Sequence, residues 1–148
     1  LNKRLNNVIL IALITATVSL SFFGYTLIPN DIAIYEQKIK LFSEQEDKAL
    51  SVFKLPTSTE TKTYLSVIEN EGLANWKKNL QVLDEIGTLN LPPNISLRNQ
   101  HLREYCELRI KSYQLLYRAF EENTNAYDVE LENYNKQIAA KLEQINNE

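Results

Sequence analysis

The chain has 148 residues, of which 44% are hydrophobic and 24% charged, and this balance is typical of a folded protein rather than a disordered one. Apart from Lys3 and Arg4, all charged side chains lie at or after Asp31, so residues 31–148 carry 14 of the 16 basic groups against all 19 acidic ones. A domain with this acidic excess and no basic cluster does not favour nucleic acid, which is bound by neutralising phosphates. With only 3 Gly and 4 Pro, the composition predicts an all-α fold.

The sequence offers little for catalysis or metal binding. His101 is the sole histidine and Cys106 the sole cysteine. On a helix they would lie about 140° apart, at ~100° per residue, so they do not form a nucleophile–base pair. One His and one Cys also fall short of a typical zinc ligand set. No phosphate loop, dinucleotide fingerprint or nucleophile elbow is present. We therefore expect no catalytic residue, no cofactor and no metal ligand in this chain.

An uncharged apolar run extends over residues 8–28, after a short basic flank at residues 1–7. At ~1.5 Å rise per residue, 21 residues reach roughly 31 Å, which matches the hydrocarbon thickness of a bilayer. The run predicts one transmembrane helix in contact with membrane lipid. A secretory signal is the alternative, but its apolar stretch is shorter, and a buried core helix rarely lacks charge for so long. Lys3 and Arg4 favour a cytoplasmic N-terminus, and we therefore expect residues 31–148 to lie outside the cytoplasm.

Residues 31–148 predict a helical bundle domain. A first helix over about 31–54 carries apolar residues at heptad-like spacing, a seam that only Glu46 interrupts. A second helix over about 58–86 has one apolar stripe with Gly72 on it, where another helix can approach closely. The Leu65, Ile68, Leu73, Trp76, Leu80 and Leu83 side chains form that stripe.

Residues 88–95 predict a loop that contains Pro92 and Pro93, and a third helix follows over about 96–146. This helix is either continuous, about 75 Å long at ~1.5 Å per residue, or bent into two at the polar run 121–125. The fold predicted is one N-terminal transmembrane helix followed by an antiparallel bundle of three long helices, the last continuous or bent.

The C-terminal half of the third helix has an apolar face that the shorter helices do not reach. We expect this face to bind a protein partner or a second copy of the chain, because it would otherwise meet water. Its residues are Tyr127, Leu131, Tyr134, Ile138, Leu142 and Ile145.

Three stretches carry a family resemblance. They are W-K-K-N-L-Q-V-L-D-E-I from Trp76, L-N-L-P at 89–92 and R-E-Y-C-E-L-R-I-K-S-Y-Q-L-L-Y at 103–117, with K-A-L-S-V-F at 48–53 beside them. This succession resembles the helical region after the membrane core in some bacterial rhomboid-family intramembrane serine proteases. The resemblance implies that residues 8–28 are the last span of a polytopic protein. The catalytic G-x-S-G motif and intramembrane His of that family are not found here, so no catalytic residue carries over.

These observations predict a membrane-anchored, non-catalytic interaction or regulatory domain, with the accessory tail of a rhomboid-like protease as one setting. The alternative is the extracytoplasmic sensory bundle of a membrane receptor. Because the chain begins at Leu1 and contains no Met, we also expect it to be a fragment or a processed form.

Overall fold

The computed structural model describes residues 29–147 and is helical in four rods, with no strand in that part of the chain. Helix α1 is Pro29–Ala49 and continues as a 3-10 turn, Leu50–Lys54. The second rod consists of α2 (Thr61–Val67), a π-helical turn (Ile68–Leu73) and α3 (Ala74–Gly87). The last two rods are α4 (Pro93–Glu121) and α5 (Asp128–Asn146).

The all-α fold predicted from the sequence is therefore confirmed. Of the two descriptions left open for residues 96–146, the structure has the broken one, so the domain has four rods and not three. Within residues 29–147, no helix combines the length and apolar character needed to cross a bilayer. The span predicted at residues 8–28 lies outside the described residues.

Contacts between the rods define an up-down-up-down arrangement. The Asn90 backbone N–H donates to the Asp31 carboxylate at 3.0 Å, which places the α3–α4 connection beside the start of α1. Lys141 on α5 contacts Glu104 near the beginning of α4, at 2.5 Å. The start of α1, the α3–α4 connection and the end of α5 consequently lie at one end of the bundle. We call it the terminal pole.

The π-helical turn follows from the spacing of the core residues in the second rod. Tyr64, Ile68, Gly72 and Trp76 are all buried, and each lies four positions after the one before. At ~100° per residue a step of four overshoots a full turn by ~40°, so three such steps would rotate Trp76 about 120° out of line. The wider i→i+5 turn absorbs that rotation and keeps both parts of the rod facing the core.

This shift changes which residues the second rod buries. The stripe expected from a regular helix included Leu73 and Leu80, but both are half-buried in the structure. Asn75 and Asn79 face the core instead, at 4% and 0% exposure. Leu73 and Leu80 still pack against the core, but the predicted stripe did not include Asn75 and Asn79, because it assumed a constant helical period through Ile68–Leu73.

Gly72 permits the closest approach between the second rod and α4, as its place on the stripe predicted. A Cβ atom added there would lie 2.4 Å from Cε1 and 2.5 Å from Cδ1 of Tyr113. Neither atom can move far, since the Tyr113 ring is 1% exposed and packs edge-on against Phe53 and Trp76. A side chain at position 72 would therefore push α4 away from the π turn.

We expect Gly72→Ala to lower the free energy of unfolding by roughly 1–3 kcal/mol, the usual cost of overpacking a core. Denaturant unfolding of the full chain in detergent measures it. Gly87→Ala is the matched control, because its added Cβ has Asn99 Nδ2 at 3.9 Å as its nearest neighbour. Equal losses from both substitutions would contradict the proposed close contact.

Candidate functional site

Charged and polar side chains lie in the centre of the bundle, where apolar residues are expected. Glu46 on α1 is 7% exposed, and Arg109 on α4 is 5% exposed. Trp76, Asn79 and Tyr105 beside them are 0–1% exposed. We call these five residues the central polar cluster. Buried charges are uncommon unless paired, so the way these two are compensated decides what the cluster can do.

Tyr105 bridges the two buried charges. Its hydroxyl donates to Glu46 Oε1 at 2.6 Å, and the same oxygen accepts a hydrogen bond from Arg109 Nε at 3.2 Å. The Arg109 guanidinium also lies over two aromatic rings, with its Cζ 5.2 Å from the centre of Tyr105 and 5.8 Å from that of Trp76. Ring faces attract cations, so the guanidinium is stabilised without leaving the core.

A second tyrosine hydroxyl joins the same two helices. Tyr113 OH donates to the backbone oxygen of Ala49 at 2.8 Å, at the point where α1 passes into the 3-10 turn. Together, the hydroxyls of Tyr105 and Tyr113 link α4 to the C-terminal end of α1, eight residues apart on α4. These bonds run between helices that are parallel in direction and face each other through the core.

Burial sets the acid–base properties of the cluster. It raises the pKa of Glu46, while the Tyr105 hydrogen bond and the Arg109 charge act in the opposite direction. Burial also raises the pKa of the Tyr105 hydroxyl well above its ordinary value. The Cys106 thiol next to it is fully buried, and burial raises its pKa as well. A thiol held protonated and away from solvent is a poor nucleophile, so it serves packing rather than chemistry.

Asn79 has no hydrogen-bond partner in the part of the chain that the structure describes. Both its Nδ2 and its Oδ1 are buried, on the core face of α3 one turn after Trp76. Leaving such groups unpaired costs about 1–3 kcal/mol each. Asn79 is therefore a polar position in the core that the side chains of residues 29–147 do not compensate.

The interaction face predicted on the last helix is largely occupied by the protein's own core. Leu131, Ile138, Leu142 and Ile145 are 1–5% exposed, packed in the same hydrophobic core as α4. Tyr127 and Tyr134 are half-buried against it. The expectation that the shorter helices leave this half of the chain uncovered is corrected, because α5 folds back along α4. Binding of a partner through these residues remains a prediction, and it requires α5 to move.

A polar groove lies on the surface between α4 and α5, with a volume of about 400 Å³. Leu108 and Ala140 line it together with charged and amide side chains from both helices. Lys141 bridges the helices beside it, 2.5 Å from Glu104 Oε2 and 3.3 Å from His101 Nδ1. Because the Lys141 ammonium is already paired with Glu104, this charge serves the contact between α4 and α5.

Within residues 29–147 no group of His, Cys, Asp and Glu side chains is arranged to hold a metal ion. The central polar cluster is likewise not arranged for catalysis. Its carboxylate, hydroxyl and guanidinium are bonded to one another and shielded from any substrate. What the arrangement does is fix α1 relative to α4.

The sequence did not predict the central polar cluster, although it holds one indication of it. Glu46 is the single interruption of the α1 seam, and a carboxylate on an otherwise apolar face indicates a buried partner. The charge spacing on this helix predicts that Arg109 pairs with a glutamate on its own helix, but in the structure it donates to the buried Tyr105 hydroxyl instead. The same expectation holds for Arg118, whose Nε lies 3.4 Å from Glu122 Oε1. Arg103 pairs across the bundle with Asp84 instead.

Comparisons of the chain with protein-family models, with curated proteins and with solved structures each find no match.

We expect Glu46→Gln to change how stability depends on pH. Because the pKa of Glu46 is raised on folding, the folded state binds its proton more tightly than the unfolded state. The carboxyl therefore stabilises the fold most at acidic pH, and this contribution is lost as the pH rises from about 4.5 through the folded-state pKa. The stability of wild type relative to Glu46→Gln should increase on acidification, measured by denaturant unfolding between pH 8 and 5.

The exposed Glu44→Gln on the same helix is the control, and its difference from wild type should vary less with pH. A wild-type advantage over Glu46→Gln that grows as the pH rises would show that the carboxylate, not the acid, is the form the core favours.

Proposed function

We propose that this chain is a membrane-anchored, non-catalytic helical domain that acts by binding a protein partner. In this proposal residues 8–28 form the single transmembrane helix, and the bundle of residues 29–147 is the binding module. One observation carries it. The start of α1, the Asn90 region and the end of α5 share the terminal pole. An anchor joined to Pro29 would attach the bundle to the membrane at this pole only.

The absence of charge in residues 8–28 also supports a membrane anchor. The uncharged run at residues 8–28 meets a bundle whose core is continuous over all four rods. The bundle of residues 29–147 therefore needs no lipid to cover its apolar residues. A segment of this length without charge is best accommodated in a bilayer.

One setting for such a domain is the accessory tail of a rhomboid-like intramembrane protease. The stretches from Trp76, at 89–92 and at 103–117 support it only as a resemblance. In that setting the bundle would influence which substrates or partners reach a catalytic centre encoded elsewhere, and deleting it would change substrate choice while leaving proteolysis measurable.

A sensory domain is the second candidate, and the terminal pole favours it as well. Any chain that followed α5 would leave the bundle beside the point where residues 1–28 enter it. A receptor whose sensory bundle lies between two spans needs this arrangement. The hydroxyl bonds from α4 to the end of α1 would then couple the bundle to the helix that leads to the membrane. A second apolar run of about 20 residues directly after Glu148 in the gene would favour this candidate.

We expect Leu13→Arg combined with Val18→Arg to release the full chain from membranes. Each Arg at the centre of a span costs about 2.5–3.5 kcal/mol on insertion scales. Wild type should remain in the pellet after alkaline carbonate extraction, and the double variant should move to the supernatant. Val129→Arg, at a position that is 82% exposed on α5, is the control and should stay with the pellet. Wild type in the supernatant would reject the anchor.

We expect the bundle to lie outside the cytoplasmic membrane. Cys106 is fully buried, so a cysteine introduced at exposed Val129 is the accessible thiol of the bundle. A membrane-impermeant maleimide applied to intact cells should label Val129→Cys, and Asn7→Cys should require lysis. The reverse pattern would place the bundle in the cytoplasm.

A further inference from the structure

Buried or half-buried positions continue at a spacing of three or four residues from α4 through the following loop into α5, and among them Asn99, Arg109 and Thr124 are polar. Positions that are buried or half-buried recur every three or four residues from Asn99 to Ile145. They are 99, 102, 106, 109, 113, 116, 120, 124, 127, 131, 134, 138, 142 and 145. Thirteen steps cover 46 residues, close to the ~3.5-residue period of a coiled-coil seam. A loop that only connects two helices is not constrained to keep the spacing of a helix.

The loop itself, Glu122–Tyr127, combines the turn-favouring residues Asn123, Thr124 and Asn125 with an absence of helix breakers. It has no Gly and no Pro, and neither residue occurs anywhere from Asn94 to Glu148. The chain reverses at Asn123, whose φ of 48° is the one positive value for a non-glycine residue among those described. The Thr124 N–H donates to the Ala119 oxygen at 3.1 Å, which is a Schellman closure with Asn in the place of the usual Gly.

Exposed contacts hold the loop closed. The Tyr127 hydroxyl donates to Glu122 Oε2 at 2.8 Å and accepts from Arg118 at 2.5 Å, and the Arg118 guanidinium lies 4.7 Å from the Tyr127 ring centre. Arg118 and Glu122 are about half exposed. Polar contacts in water stabilise weakly, so these side-chain contacts add little to the backbone hydrogen bonds that close the loop.

From these three observations we propose that α5 exchanges between two copies of this chain. In the exchanged dimer residues 93–146 form one continuous helix, and α5 of each copy occupies the place on α4 of the other that it fills in the closed bundle. The buried face of Leu131, Ile138, Leu142 and Ile145 is the interaction surface, and the partner is a second copy. The closed and exchanged forms make the same α4–α5 contacts and differ only in the loop, so protein concentration decides between them.

The direction of the helices limits which copies can exchange. Since α4 and α5 are antiparallel when closed, a straight helix in the exchanged form makes the two α4 helices antiparallel to each other. The two terminal poles then lie at opposite ends of the dimer. Neighbouring copies anchored in one bilayer cannot meet this geometry, whereas copies in two facing membranes can. The proposal rests on the function proposed above in taking a protein as the partner, but its test in detergent is independent of membrane anchorage.

The experiment uses two full-length chains that each have one cysteine, both in a Cys106→Ala background. One carries Glu104→Cys and the other Lys141→Cys, two positions whose native side chains touch across α4 and α5. The chains are co-expressed, purified in detergent and treated with a short bismaleimide. In closed monomers the two thiols are on different molecules, and in an exchanged heterodimer they face each other. The control replaces Lys141→Cys by Val129→Cys, near the opposite end of α5.

We expect a covalent heterodimer from the 104/141 pair, rising with protein concentration and well above the 104/129 control. Asn123→Ala in both chains should raise it by roughly fivefold or more, because alanine is disfavoured in the left-handed region and favoured in a helix. Asn123→Gly should lower it, and Asn133→Ala on exposed α5 surface should leave it unchanged. No 104/141 cross-link above control, in wild type and in Asn123→Ala at the highest concentration, would overturn the exchange even if the chain dimerises by another surface.

Discussion

The contact between Gly72 and the Tyr113 ring is the constraint on which the rest of the bundle depends. It brings the second rod against α4 closely enough for Tyr113 to reach Ala49 on α1. The π turn is needed at the same place, because it rotates Trp76 into line with Tyr64 and Ile68. The close contact at Gly72, the π turn and the Tyr113 hydrogen bond therefore lie together, in the half of the bundle away from the terminal pole.

The central polar cluster uses the geometry that this contact creates. With Trp76 turned inward, its ring lies edge-on to Tyr105 at 5.4 Å and below the Arg109 guanidinium. The buried cation therefore meets aromatic faces on two helices and, through the Tyr105 hydroxyl, a carboxylate on a third. Replacing such a group by apolar residues often costs nothing in stability, so the cluster is better understood as fixing which helices face each other and in what register.

Much of this architecture could be predicted from the sequence, but not its register. Regular spacing and scarce Gly and Pro sufficed for the helices, and Gly72 on the stripe indicated a close approach. The π turn was not predicted because a constant helical period was assumed, and the predicted stripe therefore did not include Asn75 and Asn79. Arg109 and Glu46 escaped for a different reason. A periodic pattern shows which residues share a face, whereas pairing across the bundle depends on which helices become neighbours.

The break between α4 and α5 shows how sequence and structure together decide whether this region forms one helix or two. The spacing of three or four residues between buried or half-buried positions runs from Asn99 to Ile145, so this spacing alone is satisfied by one long helix or by two. Only tertiary burial separates them, because α5 covers the core of its own bundle when the loop closes at Asn123. The same burial is available on a second copy of the chain. In the exchange proposed above, the choice between the two forms falls to the loop and to protein concentration, so Asn123, a residue outside the core, is the position expected to shift it.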